Sequence, residues 1–368
     1  MTEFKVSKSV SLPICEEPNE YIPADLPYYG NKTLLEQIAV AVNMNKPVLL
    51  SGETGTGKTS VVRHLAAKTN NGFRRLNLNG GTGTDELLGK FMLNKEGTYW
   101  IDGVLVEGMK KGYWVLLDEI NAASAEVLFA LHSLLDDDGY IVLAEHGGEI
   151  VRPHPNFRMF ASMNPSHDYV GAREMNKALM SRFIVVKTDF PTEATESTIL
   201  QHRGGVGKTV ATRMLAFTKE IRSMYKAGKI QFVLSTRELL QWSNFFHHYG
   251  KYTLSAEPTI LNKVGEEDLQ SIQDLLSLHF KKIDDPKGIE GAVKVEDDKI
   301  KVGDKVKIIN DSGYIYTGVG SIGTVLGFIA ERGDEKVNVE WHSYIGAKTT
   351  EVGRHYPVKI ADVEKVKE

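Results

Sequence analysis

The chain has 368 residues, 42% of them hydrophobic and 25% charged, with a formal net charge of −4. That length exceeds one small core and points to two or three domains, and the slightly acidic balance gives no overall pull toward nucleic acid or acidic membranes. The single cysteine, Cys15, excludes a disulfide framework or a cysteine zinc site within the chain and suits a reducing compartment. The first residues lack the apolar stretch of a signal peptide, and no apolar run approaches the ~20 residues of a membrane span, so a cytoplasmic protein with no membrane partner is expected.

Residues 1–28 are polar and carry four prolines, which reads as an extended arm. Thr33 and Glu36 have the spacing of a capping box, so a helix is expected to begin there. Val48–Leu50 is a short apolar strand that ends at a glycine-rich turn. Strands and helices then alternate. Strands are expected at 73–78, 113–117, 157–163 and 183–187, and a helix at 125–135 with Leu128, Leu131, Leu134 and Leu135 on one face. Such alternation predicts an α/β fold, a parallel sheet with helices on both faces, over residues 29–190. Residues 191–285 show helical patterns only and read as a helical second domain. Residues 286–299 are charged and turn-rich, a linker. Residues 300–368 carry short strand patterns at 305–309, 322–328, 336–341 and 356–360, the spacing of a small all-β barrel of the SH3-like kind.

The turn after Leu50 contains Gly52-Glu53-Thr54-Gly55-Thr56-Gly57-Lys58-Thr59, followed by Ser60. This is G-x-x-x-x-G-K-[ST], with a strand before it and an amphipathic helix after it. Triphosphate oxygens need backbone N–H groups at close range, and glycines allow that approach. The helix N-terminus faces the phosphates, Lys58 reaches the β/γ-phosphates, and the Thr59 hydroxyl ligates Mg²⁺. Further on, the apolar run Trp114–Leu117 delivers Asp118 and Glu119 to a strand's C-terminal end, where open α/β sheets bind ligands. Asp118 is expected to hold Mg²⁺ and Glu119 to polarise the attacking water. Gly204–Thr209 looks like a second phosphate loop, but His202 stands where the first glycine belongs and no apolar strand precedes it. It reads as a loop before a helix. Asp136–Gly139 lacks the alternate spacing and distal Glu of a calcium loop.

These motifs occur with Leu76–Gly80, Asp85–Lys90, Trp100–Gly103, Leu117–Ala122, Val151–Pro155, Phe160–Pro165 and Ala178–Phe183. Together they resemble the dynein-related and MoxR-type branch of AAA+ ATPases, which includes the small ATPase subunit of aerobic cobaltochelatase. The resemblance implies an AAA+ core with a helical lid, ATP and Mg²⁺ as cofactors, and a homo-oligomeric ring, most often a hexamer. It puts Asn164 at sensor 1, Arg182 at the arginine finger that reaches a neighbouring subunit's site, with Arg173 as a second candidate, and Arg237 at sensor 2, in a capping box formed by Ser235 and Glu238. Residues 85–112 resemble the pore-facing hairpin insertion, which leaves Tyr99, Trp100 and Ile101 either packed or in contact with substrate. The implied activity is remodelling of a client protein, often with a partner that carries a von Willebrand-type adhesion domain. Two other readings stay open: the ATPase subunit of a cobalt or magnesium chelatase, and a nucleic-acid-directed motor, which the lack of a basic stripe disfavours.

Overall fold

The computed structural model describes residues 2–17, 19–136, 139–164 and 175–284, together with the backbone of strands at 305–308, 322–331, 334–343, 355–359 and 363–365. The chain divides into two compact units, residues 1–243 with 264–268, and residues 244–263 with 269–368.

The first unit opens with a hairpin, β1 (Glu3–Lys5) and β2 (Ser11–Pro13). It then runs through α1 (Lys32–Asn43), β3 (Val48–Ser51), α2 (Lys58–Lys68), β4 (Phe73–Asn77), α3 (Thr84–Leu88), and the hairpin β5 (Gly89–Asn94) and β6 (Gly97–Asp102). Next come α4 (Val104–Lys111), β7 (Trp114–Asp118), α5 (Ala125–Leu135), and a second hairpin, β8 (Ile141–Leu143) and β9 (Glu149–Val151). After these follow β10 (Arg158–Met163), α6 (Lys177–Met180), β11 (Ile184–Lys187), α7 (Glu193–Arg203), α8 (Lys208–Lys226) and α9 (Thr236–Tyr249), whose residues 244–249 belong to the second unit.

Five strands form one parallel sheet in the order β11-β3-β10-β7-β4. Its inner strands β3, β7 and β10 are buried on both faces, with side chains alternating between two apolar layers, while the edge strands β4 and β11 are partly exposed. Leu49, Val115, Leu117 and Ala161 point into one apolar layer with Leu105, Val106, Val127 and Leu131. Val48, Leu50, Leu116, Phe160 and Val186 point into the other with Ile38, Val61, Val62 and Leu65. The expected α/β core and its helices on both faces are therefore present.

Two local expectations need correction. The first helix is capped by Asn31, whose Oδ1 accepts from the Thr33 N–H at 2.8 Å, so the helix starts ahead of the Thr33/Glu36 pair. Asparagine is among the best N-caps and sits two residues earlier. The arm is also less plain than its prolines suggest. Its β1–β2 hairpin seats Leu12, 1% exposed, in the second apolar layer, whereas residues 22–31 run without regular structure. The Gly204–Thr209 loop joins α7 to α8 as expected. An added Cβ at Gly204 would lie 2.1 Å from Ser243 Oγ, so its glycine serves close packing.

Around α7 and α8 lies a buried ion pair. Arg222 donates to both carboxylate oxygens of Glu196 at 2.8 Å, its Nε donates to Leu234 O at 2.9 Å, and its guanidinium lies 4.0 Å over the Phe190 ring. Glu196 also accepts from the Thr236 hydroxyl at 2.6 Å, at the start of α9. Arg222→Ala leaves that carboxylate buried and unpaired. It should destabilise the chain by about 3–5 kcal/mol, read from denaturant unfolding.

In the second unit, α10 (Tyr252–Thr259) is capped by Asp284 at the end of α11 (Glu266–Asp284), whose carboxylate accepts from the N–H groups of Tyr252 and Thr253 at 2.9 and 2.6 Å. Toward the C-terminus, β12 (Lys305–Ile308), β13 (Ile322–Glu331), β14 (Asp334–Ser343), β15 (His355–Lys359) and β16 (Val363–Lys365) form an antiparallel sheet in the order β15-β14-β13-β12-β16. The linker at 286–299, Pro165 and Arg173 lie outside the described residues.

Candidate active site

The phosphate loop leaves the C-terminal end of β3, which lies between β11 and β10 in the sheet, and returns into α2. Gly57 caps α2 at φ 92°, where an L side chain is disfavoured, and no side chain caps the helix. The first N–H groups of α2 are thus left for a ligand. Gly55 is at φ 78°, and a Cβ there would stand 2.5 Å from Ser235 Oγ. The loop is therefore pressed directly against the start of α9. Thr56 ties the loop down, its hydroxyl donating to Glu53 O at 2.8 Å and lying 3.0 Å from Thr188 Oγ1.

Lys58 is 9% exposed. Its ammonium donates to Gly52 O at 2.6 Å, Glu53 O at 2.9 Å and Asn164 Oδ1 at 2.8 Å. Burial lowers its pKa to about 8, against the opposing pull of Asp118, Glu53 and Glu119, while Arg237 lowers it further. The folded chain without nucleotide thus releases this proton near pH 8, and the unfolded chain keeps it to about 10.5. Between those values the unfolded state binds more protons, so stability rises with pH there, and the full penalty applies below pH 8. Triphosphate oxygens restore the ammonium. Nucleotide binding at about pH 8.5 should therefore take up a proton, measured as a dependence of calorimetric binding heat on the buffer's ionisation enthalpy. Equal heats in two such buffers would show that Lys58 is already charged.

Asp118 ends β7 and is 6% exposed. Its Oδ1 accepts from the Ser162 hydroxyl, its Oδ2 accepts from Thr59 Oγ1 at 3.2 Å, and Arg75 Nη2 lies 2.6 Å from the same Oδ2. Thr59 and Asp118 thus present two hard oxygens side by side, a donor set that fits a magnesium ion. Glu119 is exposed and follows at φ 58°, ψ 43°, a left-handed conformation that is strained for a residue with a Cβ. Its N–H donates to Ser162 Oγ at 3.4 Å. Asn164 is held in turn, since Asn121 Nδ2 donates to its carbonyl at 3.1 Å. Three strand ends (β3, β7 and β10) thereby bring Lys58, Thr59, Asp118, Glu119 and Asn164 together.

Arg237 lies in the first turn of α9, behind the expected capping box. The Ser235 N–H donates to Glu238 Oε2 at 3.1 Å, the Ser235 hydroxyl donates to the same oxygen, and the Glu238 N–H donates back to Ser235 Oγ at 3.4 Å. With Gly55, Thr56, Gly57 and Ser60, Arg237 lines a cavity of about 320 Å³. The cavity is also lined by residues that sequence reasoning does not single out. Tyr28, Tyr29 and Gly30 come from the arm, Ile199 and Arg203 from α7, and Leu240 from α9. Tyr28 stacks on His64 at 5.2 Å and Tyr29 on His202 at 5.6 Å. Burial raises the Tyr28 pKa to about 12 and lowers that of His64. The only signal for them was a Tyr-Tyr-Gly after the last proline of the arm.

Arg182 does not join this group. It lines a different cavity, of about 580 Å³, with its Nε donating to Asp136 Oδ1 at 2.6 Å and its Nη1 to Ala178 O at 2.8 Å. The expected insertion is the β5–β6 hairpin. Tyr99 and Ile101 are each 43% exposed on one side. Trp100 points to the other, stacked on His146 at 4.7 Å and donating to Asp102 Oδ1 at 2.8 Å. Strand alternation thus makes Trp100 a packed aromatic and its two neighbours surface ones.

Comparison with known proteins agrees with this geometry. A profile for the AAA domain of the dynein-related subfamily matches residues 47–183, and one for the CbbQ/NirQ/NorQ C-terminal region matches residues 196–278. Protein CbbQ of Hydrogenophilus thermoluteolus is 30% identical over 213 residues, 57% of this chain and 78% of that protein. The aerobic cobaltochelatase subunit CobS of a Sinorhizobium species is 25% identical over 280 residues, 72% of this chain and 84% of that protein. Midasin of Dictyostelium discoideum is 36% identical over 219 residues, which are 58% of this chain but only 4% of midasin, so the chain spans a small part of that relative.

Proposed function

The chain belongs to the MoxR-type, dynein-related AAA+ ATPases and is a nucleotide-binding ATP hydrolase, and from this we propose that it works as a homo-oligomeric ring, most simply a hexamer, that remodels a client protein. One observation carries the ring. Arg182 lines a cavity that shares no described residue with the one at the phosphate loop, which supports the reading that its guanidinium serves a neighbouring subunit's site rather than its own.

In this reading the N–H groups of residues 55–60 and Lys58 bind the β/γ-phosphates of ATP. Thr59 and Asp118 hold Mg²⁺, which when bound neutralises phosphate charge and orients the leaving group. Glu119 takes the proton of the attacking water, and Asn164, bonded to Lys58, helps place that water. Arg237 approaches the phosphates from the lid, and the arm tyrosines with Leu240 exclude water at the base end. The C-terminal strands form the SH3-like barrel and dock a client or a partner, and a von Willebrand-type adhesion-domain protein is the partner expected.

A second reading is favoured by the CobS match: the chain powers metal insertion into a tetrapyrrole. The test is capture of the client by Glu119→Gln, which holds ATP without turning it over. An adhesion-domain protein or an assembling complex retained with ATP supports remodelling. ATP hydrolysis stimulated only by a tetrapyrrole–partner complex would move the chelatase reading to the front. Retention of nucleic acid alone, released by salt, would remove both.

A further inference from the structure

Strand β4 carries two consecutive arginines that its alternation sends to opposite faces. Arg74 is doubly held: its Nη1 lies 2.7 Å from Glu107 Oε2 and its guanidinium 4.6 Å over the Tyr21 ring. Arg75 runs along the C-terminal edge of the sheet to Asp118 Oδ2, at 2.6 Å. Asp118 is its acidic partner among the described residues. The register explains the reach, since Asn77 pairs with Asp118 and Arg75 stands two residues earlier on the same face as Asn77.

The carboxylate it meets is nearly fully engaged. Ser162 holds Oδ1, so the edge of Asp118 that faces the Thr59 hydroxyl is Oδ2, the oxygen Arg75 grips. A guanidinium and a divalent cation carry charge of the same sign and repel each other at such range. They cannot both lie against one oxygen at full strength. The contact of Arg75 also differs from those of Arg74 in permanence, because the Arg75 side chain is 49% exposed, against 26% for Arg74, and has solvent to swing into.

We propose that Arg75 is an intramolecular competitor of Mg²⁺ for Asp118, a tethered cation that neutralises the buried carboxylate and yields it when metal and nucleotide arrive. The inference rests on reading Asp118 as a metal-holding residue. Arg75 thereby raises the Mg²⁺ concentration at which the site loads and keeps Asp118 from standing as an uncompensated buried charge.

The experiment uses the full chain saturated with a fluorescent ADP analogue and titrated with MgCl₂, alongside thermal unfolding in EDTA and in saturating Mg²⁺–ADP. The proteins are the parent, Arg75→Ala, Arg75→Gln (which keeps the apolar stem) and Asp118→Asn. Arg75→Ala and Arg75→Gln should lower the half-saturating Mg²⁺ about three- to fivefold, the strength of a half-exposed ion pair. They should melt below the parent in EDTA and with it in Mg²⁺–ADP. Unchanged or weakened Mg²⁺ loading in both variants overturns the competition. If Asp118→Asn loads Mg²⁺ like the parent, the metal-holding reading of Asp118 fails, a separate result that removes the proposal at its premise.

Discussion

Arg182→Ala should lower kcat for ATP by about 10³-fold or more, the range seen when a trans-acting arginine is removed from related NTPases, while the chain still binds nucleotide. The reason is positional. Arg182 sits beside Asp136 and Ala178 O, in a cavity with none of the phosphate-loop residues in its walls. Its removal leaves Lys58, Thr59 and Asp118 in place, so binding persists, and only the charge that develops on the transferring phosphoryl goes unmatched. Folding cannot account for such a loss. The pair with Asp136 joins side chains that are 29% and 53% exposed, a contact worth at most about 1 kcal/mol, so the melting temperature should hardly move. Arg182→Lys should not restore the rate, because a point charge lacks the planar fork. The decisive check is mixing. Arg182→Ala and Lys58→Ala chains should each be nearly inactive alone, yet a mixture should regain partial activity wherever an intact site meets an intact arginine. A mixture as inactive as its components would show that Arg182 serves its own subunit or none.

Glu119→Gln should reduce kcat on the order of 10²–10⁴-fold, the contribution of one positioned general base, with ATP affinity unchanged. Glutamine keeps the size of the side chain and removes only its basicity. The backbone supplies a second, sharper comparison. Glu119 is held at φ 58°, where most residues are strained by about 1–2 kcal/mol and asparagine is strained less. Glu119→Asn should therefore be at least as stable as the parent in denaturant unfolding and equally deficient in hydrolysis. Stability above the parent together with lost activity would mark the strain as a property kept for function. Near-parental turnover in both variants would mean that another group activates the water.

Much of this site was legible in the sequence. Gly52–Thr59 is a contiguous signal, because the chemistry it serves is done by consecutive backbone N–H groups. The Asp118-Glu119 pair follows a fully apolar strand, and the strand's buried environment is itself a sequence pattern. The Ser235/Glu238 box was equally plain, since both partners lie within one helical turn. The first helix shows the limit of such reading. Two capping patterns overlapped there, and Asn31 took the cap ahead of the Thr33/Glu36 pair. The arm shows another. Tyr28 and Tyr29 lack regular structure of their own, and only their stacking on His64 and His202 makes them a wall of the cavity beside the phosphate loop.

What the sequence by itself determined is the set of local devices: the apolar runs that bury both faces of the inner strands, the phosphate loop, the acidic strand end and the Ser235/Glu238 cap of α9. Each depends on residues within a few positions of one another, and short-range spacing carries that information directly. The tertiary structure alone decided which distant groups meet. Lys58 reaches Asn164 across 106 positions, Arg75 finds Asp118, Arg182 turns to Asp136, and Trp100 packs on His146 while its neighbours face outward. The first two follow from strand order and register in the parallel sheet, β11-β3-β10-β7-β4, which crossover connections set; the other two join loops and hairpins outside that sheet, and no local pattern records any of the four.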